Sequence, residues 1–102
     1  MAQITEIRRC PAEITLEVIG GRWKVPILYH LLRQTRRFSE LRRDLSGVTQ
    51  KMLTQQLREL ERQAVVRRTV YPQVPPKVEY SLTDRGASLK PVVNAMCKWG
   101  KA

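Results

Sequence analysis

The chain is poor in metal ligands, in acidic residues and in long apolar runs. It contains two cysteines and one histidine. That set is too small for the usual tetrahedral zinc site of four Cys and His ligands. Cys10 and Cys97 are far apart in sequence, and in a cytosolic chain such a pair is expected to stay reduced. No apolar stretch approaches the roughly 20 residues that span a bilayer. The longest, around Val25 to Tyr29, reads as a core fragment. The N-terminal "MAQITEIRRC" lacks the apolar segment of a signal peptide. These absences lead to the expectation of a cytoplasmic protein with no membrane partner. No Gly-rich phosphate loop, paired-carboxylate site or nucleophile–base set stands out. The expectation is therefore no catalytic residue, no metal, no cofactor and no enzyme.

What is present is basic charge. Lys and Arg number 19 against 9 Asp and Glu, giving a net charge of +10. That balance fits a polyanionic partner, with nucleic acid ahead of an acidic membrane. A membrane reading needs a basic amphipathic helix with exposed bulky residues, or a dense basic tail. Here the basic residues are spread along the chain instead. The 102 residues and 42% apolar content suit one soluble domain with a modest core.

The periodicity changes character along the chain. Pro11 sits where a helix can start, Ile14, Val18 and Ile19 follow at helical spacing, and Gly20 and Gly21 end it. A second helix is expected over Trp23 to Arg33, with Pro26 in its first turn. Ser39 is expected to cap a short third helix carrying Leu41 and Leu45, with Glu40 in its first turn. Gly47 makes the turn, and Thr49 is expected to cap a fourth helix reaching Gln63. Beyond Ala64 the pattern alternates. Val66, Arg68 and Val70 share one strand face, and Val78, Tyr80 and Leu82 share another. Between them "YPQVPPK" holds three prolines in five residues, a stiff hairpin tip. Thr83 is expected to cap a last helix to about Trp99, which Pro91 should kink or divide.

Short helix, tight turn, second helix and hairpin follow the order of a winged helix-turn-helix. The expected class is therefore mainly α with a small β-hairpin wing (α+β), in a single domain over 1–102. The helix-turn-helix lies at about 39–63, the wing at about 65–82, and the terminal helices at about 11–19 and 84–99.

The fourth helix, within "GVTQKMLTQQLREL", carries the functional question. With Gln50 set at zero on a helical wheel, Leu53, Leu57, Leu60 and Ala64 fall between about 280° and 340°. Lys51, Gln55, Arg58 and Arg62 fall between about 80° and 140°. Thr54 and Gln50 lie on the flank of the polar side. A charged helix face is commonly just solvated. Here, however, no acidic residue occurs from Thr49 to Arg58, while Glu59 and Glu61 come later. An acid-free first half at the positive end of the helix dipole suits phosphates. Gln, Lys, Thr and Arg suit base edges. The weight of pattern, motif and charge favours a DNA-reading face built on Thr49, Gln50, Lys51, Thr54, Gln55 and Arg58.

The flanks extend that surface. Arg36, Arg37, Ser39, Arg42 and Arg43 surround the third helix, which in this motif crosses the DNA backbone. Arg67, Arg68 and Lys77 lie on the hairpin. Each alone reads as an ordinary surface charge; together they make a candidate basic surface.

From Cys10 onward the sequence resembles the HxlR-type family of winged-helix transcriptional regulators, in the MarR-like group. "GGRWK", "FSELRR", "QKMLTQQLREL" and "YPQVPPKVEYSLT" match that family in order and spacing. The resemblance implies a homodimer, built from the N- and C-terminal helices, on a roughly palindromic operator. It implies transcriptional control, more often repression than activation. It places reading residues on Gln50 to Arg58 and puts Pro75, Pro76 and Lys77 in the wing. Ile14, Val18, Leu89, Val92, Val93, Met96 and Trp99 are then candidates for the dimer interface, because the last helix holds more apolar surface than a small core needs. The alternative, that these residues only cap the monomer core, stays open.

Cys10 precedes Pro11 at a helix start and follows Arg8 and Arg9, a setting that favours the thiolate. Several relatives use a cysteine at this "CP" position to sense oxidants or electrophiles. Two readings remain for Cys10, a reactive sensor and a small buried packing residue. Cys97 reads as core or interface, His30 as a satisfied half-buried histidine, and Trp23 as a core anchor. A small-molecule or oxidant effector is open. Two other functional readings stay beside sequence-specific regulation: a basic module that binds an acidic protein, and a nonspecific nucleic-acid binder.

Overall fold

The computed structural model describes residues 10–102. Helix α1 spans Pro11–Ile19, with Pro11 in its first turn. Its last residues, Val18 and Ile19, are buried, and Gly20 N–H closes it on Leu16 O. Gly21 follows at φ +95° and redirects the chain. Helix α2 spans Lys24–Arg33 and buries Lys24, Ile27, Leu28 and Leu31 along one stripe.

The third helix does not start as expected. Arg36–Arg37 form a short strand, β1, and α3 begins at once, over Phe38–Asp44. Arg37, not Ser39, is the N-cap, and its backbone N–H donates to Glu40 Oε1 at 2.8 Å. Pairing of Arg36 with Tyr80 and Arg37 with Glu79 holds the chain extended up to that point. A strand of two residues is too short to leave an alternating signature in sequence. Ser39 therefore sits in the first turn of α3, exposed.

Val48 is buried after a turn through Gly47 at φ +90°, and helix α4 spans Gln50–Arg62. Thr49 caps it, its Oγ1 accepting from Met52 N–H at 3.1 Å. Leu53, Leu57 and Leu60 are fully buried, each contributing about 1.5–3 kcal/mol by leaving water. The helix ends at Ala64, in the left-handed region at φ 59°. Ala64 N–H donates to Glu61 O and Val65 N–H to Leu60 O, a Schellman closure that satisfies carbonyls the helix would leave open.

Strand β2, Val66–Tyr71, pairs antiparallel with β3, Lys77–Leu82, in a three-stranded sheet of order β1-β3-β2. The register sets Val66 opposite Leu82, Arg68 opposite Tyr80 and Val70 opposite Val78. The two alternating sets read from sequence are thus one sheet face. Only its inner end is core: Val66 and Tyr80 are buried, while Val70 is exposed because the hairpin runs out beyond the body.

The last helical segment is divided, as Pro91 required. Helix α5 spans Asp84–Ala87, and α6 spans Lys90–Lys101 with Pro91 in its first turn. Thr83 caps α5, accepting from Gly86 N–H at 3.0 Å and donating to Ala64 O at 2.6 Å. Gly86 has to lack a side chain, because a Cβ there would meet Val65 O. Val93 is the residue by which α6 enters the core, together with half-buried Leu89 and Cys97.

Candidate nucleic-acid interface

Helix α4 lies between two recesses. One is bounded by Gln50, Thr54, Arg58 and Glu61 of α4 on one side and by Arg68, Val78, Tyr80 and Phe38 on the other. It is the trough between the polar flank of α4 and the sheet. The second runs over the outer face of α4, along Gln50, Lys51, Thr54, Gln55, Arg58 and Arg62. Each holds about 570 Å³ and is open. Gln50, Thr54 and Arg58 border both, so they line the crest of the exposed helix.

The geometry sorts the candidates read from sequence. Gln50, Lys51, Gln55 and Arg58 are exposed on α4. Thr54 is half-buried, and its hydroxyl donates to Gln50 O at 2.8 Å, which ties it to its own helix backbone. Arg68, on β2, faces Arg58 and Gln50 across the trough. Arg37, Ser39, Arg42 and Arg43 are exposed at or on α3, outside both recesses. Lys77 is half-buried, 3.4 Å from Glu79 Oε2, with its ammonium 4.7 Å from the Tyr71 ring centroid. It is engaged within the hairpin and less available than Arg68. Arg36 is likewise committed, its Nε 3.5 Å from Asp44 Oδ2. His30, half-buried, has Nδ1 3.9 Å from the same oxygen.

Three features escaped the sequence reading. Glu61, beyond the acid-free half of the helix, lines the trough beside Arg58 and Arg68. Phe38, Val78 and Tyr80 give the trough an apolar floor. Lys24, almost fully buried, donates to Gln56 Oε1 at 2.8 Å and to Glu59 Oε1 at 2.6 Å on α4. That lysine falls on the apolar stripe of Ile27, Leu28 and Leu31. A charge at a core position of a helix demands a partner, and this was the available signal.

Electrostatics agree with an anion-facing surface. The first turn of α4 carries no acid, and its leading N–H groups have no acceptor within the helix. Glu61 places one carboxylate in the trough itself, while two other nearby acids are held by the protein. The hydrogen bond from Lys24 keeps the Glu59 carboxyl below its ordinary value of 4.5. The Arg37 backbone N–H does the same for Glu40.

The interface candidates divide. Val18 and Val93 are buried in the monomer's own core and are not free to form a surface. Leu89 is half-buried against that core. Ile14, Val92 and Met96 are exposed, and Trp99 is 84% exposed. Leu16 is also exposed on α1. Cys10 is exposed at the N-cap of α1, while Arg8 and Arg9 lie outside the described residues. Cys97 is half-buried in a recess with Val25, Pro26, Tyr29, His30 and Lys101. Among the described residues no group of three His, Cys, Asp or Glu is arranged to hold a metal ion, and no helix is long and apolar enough to cross a membrane.

Comparison with known proteins agrees on one group. The HxlR-like helix-turn-helix family matches residues 18–102. The HTH-type transcriptional regulator YdeP of Bacillus subtilis strain 168 is 56% identical over 92 residues, covering 90% of this chain and 72% of that protein. Among solved structures, the redox regulator HypR in its oxidised form superposes with a TM-score of 0.87 at 55% identity, covering 90% of this chain and 95% of that one. The transcriptional regulator YodB of B. subtilis in its reduced form gives 0.78 at 37% identity, over 89% of this chain and 90% of that one.

Proposed function

The chain belongs to the HxlR-like helix-turn-helix family of transcriptional regulators, and from that membership we propose that it is a sequence-specific DNA-binding regulator acting as a homodimer on a pseudo-palindromic operator, as a repressor. The observation that carries the reading is the crest of α4. Its acid-free first half presents Gln50, Lys51, Gln55 and Arg58, and Arg68 of the wing stands across the trough. Side chains of these types read base edges in the major groove, and the flanking arginines fix the register on phosphates.

Dimerisation supplies the second half-site. The exposed apolar side chains Ile14, Leu16, Val92, Met96 and Trp99 lie on α1 and α6. A symmetric pairing through them removes that surface from water. It also allows two recognition helices about 34 Å apart, one turn of DNA.

Cys10 is the candidate for effector response. HypR is a redox regulator, and an exposed cysteine at the N-cap of α1, beside the proposed dimer surface, is in a position to alter dimer geometry when oxidised or alkylated. Modification of Cys10 is expected to change operator affinity, and unchanged affinity after its complete modification removes the sensor.

The test of the main reading is salt-dependent binding to a selected duplex and to its scrambled counterpart. Preference for the selected duplex, with log K falling linearly against log salt, supports it. Arg68→Ala is expected to reduce that slope by about 0.9 per lost phosphate contact, and Lys77→Ala by less. Equal affinity for both duplexes makes the protein a nonspecific binder. No affinity for either favours the acidic-protein partner.

A further inference from the structure

Gln55 is exposed on the outer flank of α4, at the edge of the proposed reading face. A free glutamine amide has no fixed sense. Turned one way it presents its acceptor oxygen beside one N–H; turned the other it leads with its two N–H donors. The two senses suit different bases. Adenine shows the N6 amino donor and the N7 acceptor in the major groove, whereas guanine shows two acceptors, O6 and N7.

Here a neighbouring carboxylate selects the sense. Gln55 Nε2 donates to Glu59 Oε2 at 3.4 Å, one turn along the helix. An ionised carboxylate only accepts, so the amide nitrogen must face it. Glu59 is in turn held from below, its other oxygen 2.6 Å from the buried Lys24 ammonium. Lys24 Nζ also donates to Gln56 Oε1 at 2.8 Å. A chain of bonds thus runs from the core, through Glu59, to a base-reading candidate on the surface. It leaves Gln55 Oε1 and the remaining N–H side by side and unspent.

We infer that Lys24 and Glu59 are positioning residues for sequence recognition: they lock the Gln55 amide with its acceptor and one donor outward, so that this position of each half-site is read as adenine. The inference rests on the DNA-reading assignment of α4. It separates Glu59 from the groove-contacting residues, since its carboxylate acts through Gln55 and never on DNA.

The decisive variant is Glu59→Gln. A glutamine at 59 has a single oxygen, which the buried ammonium claims, so its amide nitrogen turns toward Gln55. Gln55 then accepts from it with Oε1 and turns its two N–H donors toward the groove. The double variant Lys24→Met/Glu59→Met removes the lock without stranding a charge, and replacement of such a pair by apolar residues of similar volume is tolerated.

The experiment is selection from a randomised duplex library by the full chain in four forms: unaltered, Gln55→Ala, Glu59→Gln and the double methionine variant. Melting curves confirm that each is folded. The unaltered chain is expected to select adenine at one position per half-site, and Gln55→Ala to lose that preference. Glu59→Gln is expected to lose it by roughly tenfold and to move it toward guanine, keeping its other preferences and its salt slope. The double variant is expected to lose the adenine preference with no move to guanine. An unaltered adenine preference in both variants, or a Gln55-dependent position that is not adenine, overturns the inference while leaving the DNA-reading assignment in place. Absence of any selected sequence with the unaltered chain overturns that assignment, and the inference with it.

Discussion

Lys24 Nζ, on α2, lies 2.6 Å from Glu59 Oε1, on α4, across 35 residues of sequence. The lysine is 7% exposed, whereas the Glu59 side chain keeps a third of its surface in water. The two partners are therefore unequal. Glu59→Leu strands an ammonium in the core with Gln56 as its remaining acceptor, and Lys24→Met leaves a carboxylate that water can still reach. Thermal melts are expected to show the larger loss for Glu59→Leu. Equal losses would mean that the lysine is solvated after all.

The depressed carboxyls give the stability a defined pH dependence. Glu59 and Glu40 titrate below 4.5 in the folded chain, so the unfolded chain binds protons first as pH falls. Their contribution is complete above 4.5 and disappears as pH drops through the lower folded values. Glu40→Gln is expected to narrow the difference in Tm between pH 7 and pH 3, as measured by circular dichroism.

Ala64 occupies a left-handed position that favours glycine. Ala64→Gly is expected to stabilise the chain by about 0.5–1 kcal/mol, since relief of the Cβ strain exceeds the added unfolded-state entropy. Denaturant midpoints measure this, and a lower midpoint would show that the strain is small.

Thr49 links helix stability to the proposed DNA surface. Thr49→Ala removes the acceptor for Met52 N–H and is expected to cost about 1 kcal/mol. Thr49→Asp keeps an acceptor and suits the helix dipole, but places a negative charge where a phosphate is expected. Retained stability with lost duplex affinity is the expected pair of results. Unchanged affinity in Thr49→Asp would move the phosphate contact elsewhere.

Two apolar residues one turn apart on α6 have opposite expected behaviour. Met96→Asp alters an exposed side chain and is expected to give a folded monomer in sedimentation. Val93→Asp buries a charge in the core and is expected to unfold the chain, at a cost of several kcal/mol. A Met96→Asp protein that stays dimeric would place the interface off this helix.

The site was legible in sequence where pattern is local. The leucine stripe and the acid-free flank of α4 are both properties of one 13-residue helix, and the wheel separates them. Thr49 and Thr83 were readable as caps because capping depends on near neighbours. Ser39 misled for the same reason: it has the right chemistry for a cap, but a strand pairing with residues over 40 positions away set the boundary two residues earlier.

Sequence by itself determined the order of the helices and the hairpin, the polarity of α4, the basic surplus and the break before Pro91. These follow from helical and strand periods, residue propensity and charge, all of which act over one or two turns. Tertiary structure alone decided what each polar group is free to do. It withdrew Arg36 and Lys77 into ion pairs, assigned Val18 and Val93 to the core, and brought Glu61 and Arg68 into one trough. It also carried the Lys24 ammonium to Glu59, since a charge taken out of water must be met by whichever group the fold delivers to it.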